Sequence, residues 1–431
     1  MPGPRLLKRN TAVAGTKRKF RSPVSCAQLP FCACRGRWGR GVGIVAPVTS
    51  DVDRWDAATA DLQPPLAVVD LDAFDANAAD LVRRAGGTPI RVASKSVRCR
   101  SLVERVLGMD GFHGVMAYAV AEAAWLVAEG LDDVFVAYPS VDRPAIAAVA
   151  ADERLAAQVT LTIDSAEHVD LLASVDRPHG LRVAVDVDSS LRLGRVHLGV
   201  RRSPIRTPED AVGVARAAQA AGLRVVGTMF YDAQIAGLPD SSPAVRVVKR
   251  RSAASLLERR AAVVGALREV ADLEFVNAGG TGSLHVTGRD PVVTELAAGS
   301  GLYGPTLFDG YDDFSPRPAA AYALSVVRRP GPGFATAFGG GYVASGPASR
   351  SRLPRPYGRS SVGLVRREGV GEVQTPLQGN GTHDLRVGDR VWFRHAKAGE
   401  MCERFERLHL VRGRELVDTV PTYRGEGRSF G

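Results

Sequence analysis

Short β-type runs alternate with alanine-rich segments of helical spacing between residues 89 and 298. Segments such as 120–130 and 208–221 place Ala, Leu and Val at positions i, i+3, i+4 and i+7, as expected for helices that cover a parallel sheet. Eight such units predict a (β/α)₈ barrel. A doubly wound open sheet is the alternative, but the Gly-x-Gly-x-x-Gly turn expected after its first strand is missing. The predicted strands are 89–94, 112–117, 133–137, 158–163, 181–187, 223–230, 273–277 and 292–298.

A change in composition near residue 315 predicts a second domain. Beyond it the long helical patterns stop, glycine and proline become more frequent, and β-type runs such as 361–365, 390–393 and 408–411 alternate with turns. This pattern is typical of a separate β domain. We therefore expect the barrel at residues 60–314 and a C-terminal β domain at residues 315–431.

Two segments do not fit this simple division. The run LAVVD at residues 66–70 lies outside the eight predicted strands, so it could pair elsewhere. The stretch at residues 346–359 is rich in Pro, Arg and Ser, which predicts an exposed loop.

The formal net charge of +10 comes entirely from the first 48 residues, which contain ten Lys or Arg and no acidic residue. The remainder has 46 basic and 46 acidic residues, so its charge argues against binding to nucleic acid or to a membrane surface. We predict that residues 1–48 form a basic disordered tail. A nucleic-acid arm and a targeting segment are the alternatives that the composition leaves open.

Cysteine usage and hydropathy indicate the compartment. Three cysteines lie in the tail and only Cys99 and Cys402 lie beyond it, so no disulfide framework is expected and a reducing cytoplasm is the default location. The sequence has no apolar run near the ~18 residues that a membrane-spanning helix needs.

Three segments at predicted strand ends carry the candidate chemistry, because reacting groups of such barrels lie at the C-terminal ends of the strands. Lys95 ends the first strand and is either a solvated surface residue or an amine able to form a Schiff base. Residues 277–283 (NAGGTGS) and 299–301 (GSG) follow the last two strands. Their glycines allow close approach of the backbone to an anion, and their hydroxyls add donors, although such a segment can also be an ordinary turn.

The order of these motifs resembles a known family. The motifs LAVVDLDAFDAN, VASKS, AGGTGS and GSGLYG, followed by a C-terminal β domain, are similar to those of fold-type III pyridoxal-phosphate enzymes, the alanine racemase superfamily. The similarity is greater to the D-threonine aldolase and D-serine dehydratase branch, which includes proteins called amino acid deaminase/aldolase. It covers most of residues 60–431.

The resemblance implies a role for each matching residue. It implies that Lys95 carries pyridoxal 5'-phosphate as an internal aldimine and that the two glycine segments hold the phosphate. It also implies that Arg192 faces the cofactor ring and that Tyr231 lies near the cofactor. The alternatives are an ion pair of Arg192 with nearby acidic residues and a core position for Tyr231. The expected phosphate-binding residues are Gly279, Gly280, Thr281, Gly282, Ser300 and Gly301.

The sequence departs from the family pattern at two places. Ala297 stands where alanine racemases have an arginine that pairs with the pyridine nitrogen, so racemisation is less favoured. His395 remains where the aldolase and dehydratase branch binds a divalent metal, but the second ligand is replaced by Lys397, and an ammonium cannot coordinate a metal. We expect no metal, with Glu400 or Cys402 as the alternative ligand beside His395.

These features predict a pyridoxal-phosphate lyase that acts on a small, D-configured β-hydroxy amino acid. His395, Lys397 and Tyr231 are the candidates for handling the β-hydroxyl group, either for aldol cleavage or for dehydration with deamination. A racemase or a deaminase of other amino acids is the enzymatic alternative, and a non-catalytic pyridoxal-phosphate carrier is the alternative of another class. The resemblance also implies a homodimer.

Overall fold

The computed structural model describes residues 50–347 and 349–431. The prediction for residues 1–48 lies outside this part of the chain. In chain order the strands are β1 Leu66–Asp70, β2 Ile90–Ala93, β3 Phe112–Ala117, β4 Val134–Val136, β5 Val159–Ile163, β6 Arg182–Asp186, β7 Leu191–Leu193, β8 Val196–Leu198, β9 Arg224–Phe230, β10 Phe275–Ala278, β11 Glu295–Ala298, β12 Ala320–Arg328, β13 Phe334–Phe338, β14 Arg355–Tyr357, β15 Gly363–Leu364, β16 Gln374–Gln378, β17 Arg390–Arg394, β18 Arg407–Arg412 and β19 Glu415–Pro421.

Twelve helices accompany these strands in the described residues. They are α1 Asp51–Ala58, α2 Leu71–Ala85, α3 Arg100–Leu107, α4 Val120–Ala128, α5 Arg143–Ala151, α6 Glu153–Gln158, α7 Ala166–Ala173, α8 Pro208–Ala220, α9 Ala233–Ala236, α10 Pro243–Arg268, α11 Leu284–Thr287 and α12 Ser300–Tyr303.

Eight strands close into a parallel barrel in the order β10-β11-β2-β3-β4-β5-β6-β9. The predicted barrel is therefore confirmed, and each of the eight predicted runs overlaps one of its strands. Strands β4 and β5 are buried along their whole length, since the barrel interior covers one face and the helices cover the other. This double burial accounts for the β-branched and apolar residues that dominate these two strands.

Local signals set the ends of the covering helices. Helix α8 begins at a capping box in which the side-chain oxygens of Thr207 and Asp210 each accept a hydrogen bond from the backbone N–H of the other residue, with Pro208 in the first turn. Helix α2 begins where the carboxylate of Asp70 accepts hydrogen bonds from two backbone N–H groups, and it ends at Gly86, whose φ of 65° is left-handed. These caps therefore fix where helix α8 begins and where helix α2 begins and ends.

A second sheet has the strand order β15-β16-β13-β12-β1-β18-β19. Strand β17 also belongs to this sheet and pairs with both β12 and β14. The separate β domain is therefore present, but its sheet also contains β1, which lies between β12 and β18. Leu66 pairs with Ala323, and Val68 pairs with His409. The chain thus enters the β sheet before it enters the barrel, so a boundary that assigns residues 60–314 to the barrel alone misplaces β1.

The stretch 346–359 is largely exposed in its described residues, as predicted, but it is not a loop throughout. It contains a 3₁₀ turn at Arg350–Arg352 and strand β14, which pairs with β17. The backbone pairing of Tyr357 with Trp392 holds the end of this stretch against the sheet.

A buried ion pair joins the first and last barrel strands. Arg91 on β2 binds Glu295 on β11 through Nε–Oε1 and Nη2–Oε2 hydrogen bonds of 2.7 and 2.8 Å. Asn277 on β10 donates to the same carboxylate at 2.8 Å. These hydrogen bonds therefore link β2, β10 and β11, the three strands that Lys95 and the two glycine segments follow.

No helix in the described part of the chain is both long and apolar enough to cross a membrane.

Candidate active site

A cavity of about 360 Å³ lies at the C-terminal ends of the barrel strands. The barrel supplies Lys95 and the first residues of the glycine segments, and the β domain supplies Ser345, Arg352, Lys397 and Glu400. This is the end of the barrel at which such folds place their chemistry. The β domain forms a wall of the cavity, so both domains contribute to one site.

Lys95 lies in a 3₁₀ turn, Ser94–Ser96, directly after β2. The hydroxyl of Ser94 donates to the carbonyl oxygen of Met116 at 3.0 Å, which fixes the turn against β3. The β domain also approaches this turn closely, since a Cβ atom at Gly399 would overlap the carbonyl oxygen of Lys95. The Lys95 amine therefore projects from a turn that both domains constrain.

Tyr138 is the direct partner of Lys95. The Lys95 Nζ donates to the Tyr138 hydroxyl and lies 4.8 Å from the centre of its ring. Burial raises the pKa of Tyr138, but the charges and hydrogen bonds of Lys95 and Arg202 more than offset this effect, so its pKa is lowered. The Tyr138 hydroxyl is therefore an acceptor suited to a neighbouring cation.

The two glycine segments come together beside Lys95. Gly279, Gly280, Thr281 and Ser300 line the cavity, and Thr281 Oγ1 accepts hydrogen bonds from Ser300 Oγ at 3.1 Å and from the backbone of Gly301 at 3.2 Å. Gly279 has a φ of 80°, a left-handed conformation that favours glycine. A Cβ atom on Gly280 would lie 2.8 Å from the Cβ of Ala236.

The chemistry of these two segments suits a phosphate group. Small residues leave the backbone accessible, and two hydroxyls with adjacent N–H groups supply donors for an anion. Gly282 and Gly301, also predicted to bind phosphate, do not line this cavity. A Cβ atom on Gly282 would overlap the carbonyl oxygen of Ala236, and one on Gly301 would lie 2.8 Å from Thr281 Cγ2, so both glycines permit close packing.

Three arginines line the cavity, Arg98, Arg202 and Arg352, and the predicted Arg192 is not among them. Arg192 binds Asp188 at 2.9 Å, its side chain is 47% exposed, and it does not line the cavity. The ion-pair alternative for Arg192 is thus the one that the structure shows. Arg202 lines the cavity instead, with its guanidinium 4.9 Å from the ring centre of Tyr231.

Tyr231 and Ala297 both line the cavity. Burial raises the pKa of Tyr231, so its hydroxyl stays protonated at neutral pH. Ala297 presents only a methyl group, so the cavity has no cation at this position.

His395 and Lys397 lie in different surroundings although they are two residues apart. Lys397 lines the cavity, and its Nζ donates to Ser345 Oγ at 2.7 Å. Burial lowers the pKa of Lys397, and Glu400 partly offsets this effect. His395 does not line the cavity. It is buried with its ring edge toward Tyr303 at a centroid distance of 6.1 Å, and burial together with Arg394 lowers its pKa to about 3.

The groups near Lys397 do not make a metal-binding set. Glu400 lines the cavity, but its carboxylate accepts hydrogen bonds from the backbone N–H of Ser345 at 3.1 and 3.0 Å. Cys402 is buried outside the cavity and its thiol contacts the carbonyl oxygen of Val97 at 3.3 Å. Burial raises the pKa of this thiol, which disfavours the thiolate that a metal requires. Among residues 50–347 and 349–431, no group of three or more His, Cys, Asp or Glu side chains is arranged to hold a metal.

Tyr138, Arg202 and Arg352 are among the cavity residues that the sequence analysis did not predict. Tyr138 directly follows the predicted strand 133–137, so its position at a strand end was a usable signal. Arg202 lies in an irregular segment and Arg352 in a short 3₁₀ turn, neither of them within a motif, and only the fold brings them to the cavity.

Comparison with known proteins agrees with this arrangement. Residues 69–306 match the family described as Alanine racemase, N-terminal domain. Two 3-hydroxy-D-aspartate aldolases, from Paracoccus denitrificans strain Pd 1222 and from Paracoccus denitrificans, are each 26% identical over 268 and 269 residues. Each alignment covers 61% of this chain and 64% of the relative, so the chain spans less than two thirds of the length of these curated proteins.

Solved structures share the fold over most of both chains. D-threonine aldolase from Filomicrobium marinum has a TM-score of 0.73 and 24% identity, covering 85% of this chain and 97% of the aldolase. D-threo-3-hydroxyaspartate dehydratase from Delftia sp. HT23 has a TM-score of 0.67 and 18% identity, covering 85% and 98%.

The fold and the cavity define a barrel protein with a lysine and a glycine-rich cradle at the strand ends, next to a β domain. Because the family match covers more than half of its residues, the chain belongs to the family with an alanine racemase N-terminal domain.

The buried state of His395 leads to a pH prediction. Its pKa in the folded protein, about 3, lies below the ordinary value of 6.5, so the unfolded chain takes up a proton first and stability falls as the pH drops from 6.5 toward 3. Replacing His395 with Leu removes this contribution. Between pH 7.5 and pH 5 the variant should lose about 2 kcal/mol less free energy of unfolding than the wild type, as measured in urea.

Exposed His383 is the control for this measurement, and His383→Leu should keep the pH dependence of the wild type. An identical pH dependence in His395→Leu and wild type would show that His395 is charged or accessible in the folded protein.

Proposed function

We propose that this protein is a pyridoxal-phosphate-dependent lyase that cleaves or dehydrates a D-configured β-hydroxy amino acid. The observation that carries the proposal is that Lys95 and the cradle formed by Gly279, Gly280, Thr281 and Ser300 line the same cavity. The names of the similar aldolases and dehydratase support the substrate class and the reaction type.

Different cavity residues would hold different parts of the cofactor. The Lys95 amine would bind it covalently, while the hydroxyls of Thr281 and Ser300 and the nearby backbone N–H groups would hold its phosphate. Tyr138 positions the Lys95 amine through their hydrogen bond. When bound, pyridoxal phosphate supplies an electron sink that stabilises negative charge on the substrate Cα.

Lys397 and Tyr231 are the groups available to handle the substrate β-hydroxyl. The lowered pKa of Lys397 makes proton release easier than from a solvated lysine, and its partner Ser345 holds the amine in the cavity. Tyr231 keeps its proton and can donate it. His395 is too enclosed for the same task, so we assign it a structural role.

The absence of a cation at Ala297 favours a lyase over a racemase in this proposal, as the sequence comparison with racemases implies. The dimeric state and the cytoplasmic location remain predictions, as does the expectation that the substrate is a small molecule rather than nucleic acid.

Covalent binding through Lys95 is directly testable. The protein supplied with pyridoxal phosphate should become yellow, and reduction with borohydride should abolish the absorbance band and leave a pyridoxyl group on Lys95, because this amine lies beside the cradle. Peptide mass spectrometry locates the modified residue.

Lys397→Met provides the matched control, since it removes the other cavity lysine. This variant should still carry the pyridoxyl group on Lys95, whereas Lys95→Met should carry none. Modification of Lys397 in the wild type, or a protein that stays colourless with the cofactor, would contradict the assignment.

A second prediction concerns the charge that Lys397 supplies. If its ammonium binds the reacting oxygen directly, Lys397→Met should lower kcat by about 10²-fold, the usual effect of losing one preorganised donor. Chelators should leave wild-type activity unchanged. Turnover of D-threonine to glycine and acetaldehyde, with and without EDTA, measures both effects.

Lys397→Arg serves as the control that retains positive charge, and it should recover part of the lost activity. Inactivation of the wild type by EDTA with recovery on adding manganese or zinc would show that a metal ion, rather than Lys397, stabilises the reacting oxygen.

A further inference from the structure

Several cationic side chains line the cavity besides Lys95, the lysine that would bind the cofactor. Four of its cationic side chains have no carboxylate within 4.0 Å in the described part of the chain: Lys95, Arg202, Arg352 and Lys397. Glu400 is the one acidic side chain among the lining residues. The phosphate cradle is built from hydroxyls and backbone N–H groups, so it does not account for the arginines.

Arg352 stands out among these cations because its donors are buried without a partner. Its Nε and Nη1 atoms are inaccessible to solvent and have no hydrogen-bond acceptor among the described residues. Leaving buried donors of a charged group unpaired is costly, so a ligand that supplies an acceptor would stabilise this arginine. Because Arg352 lines the cavity, a ligand bound there can supply the missing hydrogen-bond acceptor.

The guanidinium is also held in a defined place. Arg352 ends the 3₁₀ turn Arg350–Arg352, and a Cβ atom on Gly346 would lie 2.7 Å from its Nε. Gly346 has a φ of 121°, so both its backbone conformation and the available space favour glycine. The β-domain loop therefore fits closely around this arginine.

Arg202 and Arg352 come from different parts of the site. Arg202 stacks on Tyr138 and Tyr231 at the barrel, while Arg352 belongs to the β-domain wall and influences the pKa of Lys397. Two separate guanidinium groups suit a ligand with two carboxylates, because each planar fork can bind one carboxylate in a bidentate manner.

We propose that Arg352 binds the side-chain carboxylate of the substrate, which makes this chain selective for β-hydroxy dicarboxylic amino acids over those with a neutral side chain. This inference rests on the proposed function and names its substrate class. Arg202 remains available for the α-carboxylate, and Lys397 for the β-hydroxyl between the two.

The test compares D-3-hydroxyaspartate with D-threonine as substrates of the holoenzyme. The wild type should have the higher kcat/KM for D-3-hydroxyaspartate. In Arg352→Met, the ratio of the two kcat/KM values should fall about 10²-fold, mainly through KM, because a buried charge pair is lost. Arg352→Lys keeps the charge without the fork, so its ratio should be intermediate.

Arg350→Met is the matched control, since Arg350 is exposed in the same turn and does not line the cavity. It should keep the wild-type ratio. An equal loss on both substrates in Arg352→Met would mean that Arg352 binds the α-carboxylate, and a weakened affinity for pyridoxal phosphate would mean that it binds phosphate. Either result, or an unchanged ratio, overturns the proposal.

Calorimetry with succinate and butyrate provides a readout that does not need turnover. The wild type should bind succinate more tightly than butyrate, and Arg352→Met should lose this preference. If the wild type prefers succinate but cleaves neither amino acid, the proposed lyase function fails while the anion site stands. If Arg352→Met binds succinate as the wild type does, the anion site fails whatever the activity.

Discussion

The buried contact between Arg91 and Glu295 supports the rest of the site. It joins β2 to β11, where the barrel closes, and Asn277 on β10 binds the same carboxylate. Lys95, the cradle at Gly279 and the cradle at Ser300 each follow one of these three strands. Glu295 is fully enclosed, and the charge of Arg91 helps to hold its pKa at about 2 against the effect of burial. Removing one partner of such a pair costs roughly 3–5 kcal/mol and would leave the other charge buried.

The β domain is part of the active site and not merely an appendage of the barrel. Strand β1 pairs with β12 on one side and with β18 on the other. Helix α2 follows β1 directly, so β1 connects this sheet to α2. Gly399 approaches the Lys95 turn so closely that a side chain would not fit. The loop around Ser345 and Arg352 then supplies the wall that faces the cradle. A barrel without this domain would lack Arg352 and Lys397, two of the side chains that we assign to substrate binding.

The predictable and unpredictable parts of the structure have different physical origins. The eight barrel strands were recognisable because strands covered on both faces are rich in β-branched and apolar residues, and Lys95 was recognisable because it directly follows one of them. Arg202 and Arg352 were not, because neither lies within a motif and long-range packing brings them to the cavity. His395 was expected at the site from the family resemblance alone, whereas in the structure it directly follows strand β17 and is buried beside Tyr303, outside the cavity lining.

In the proposed holoenzyme, the Lys95 amine and the glycine cradle bind the two ends of one cofactor. A crystal structure of the protein saturated with pyridoxal phosphate would test this arrangement. We predict continuous electron density from Lys95 Nζ to the cofactor, with the phosphate in contact with Thr281 and Ser300. Density for the cofactor in the separate cavity beside Lys249 and His285, or a phosphate bound away from the cradle, would contradict it.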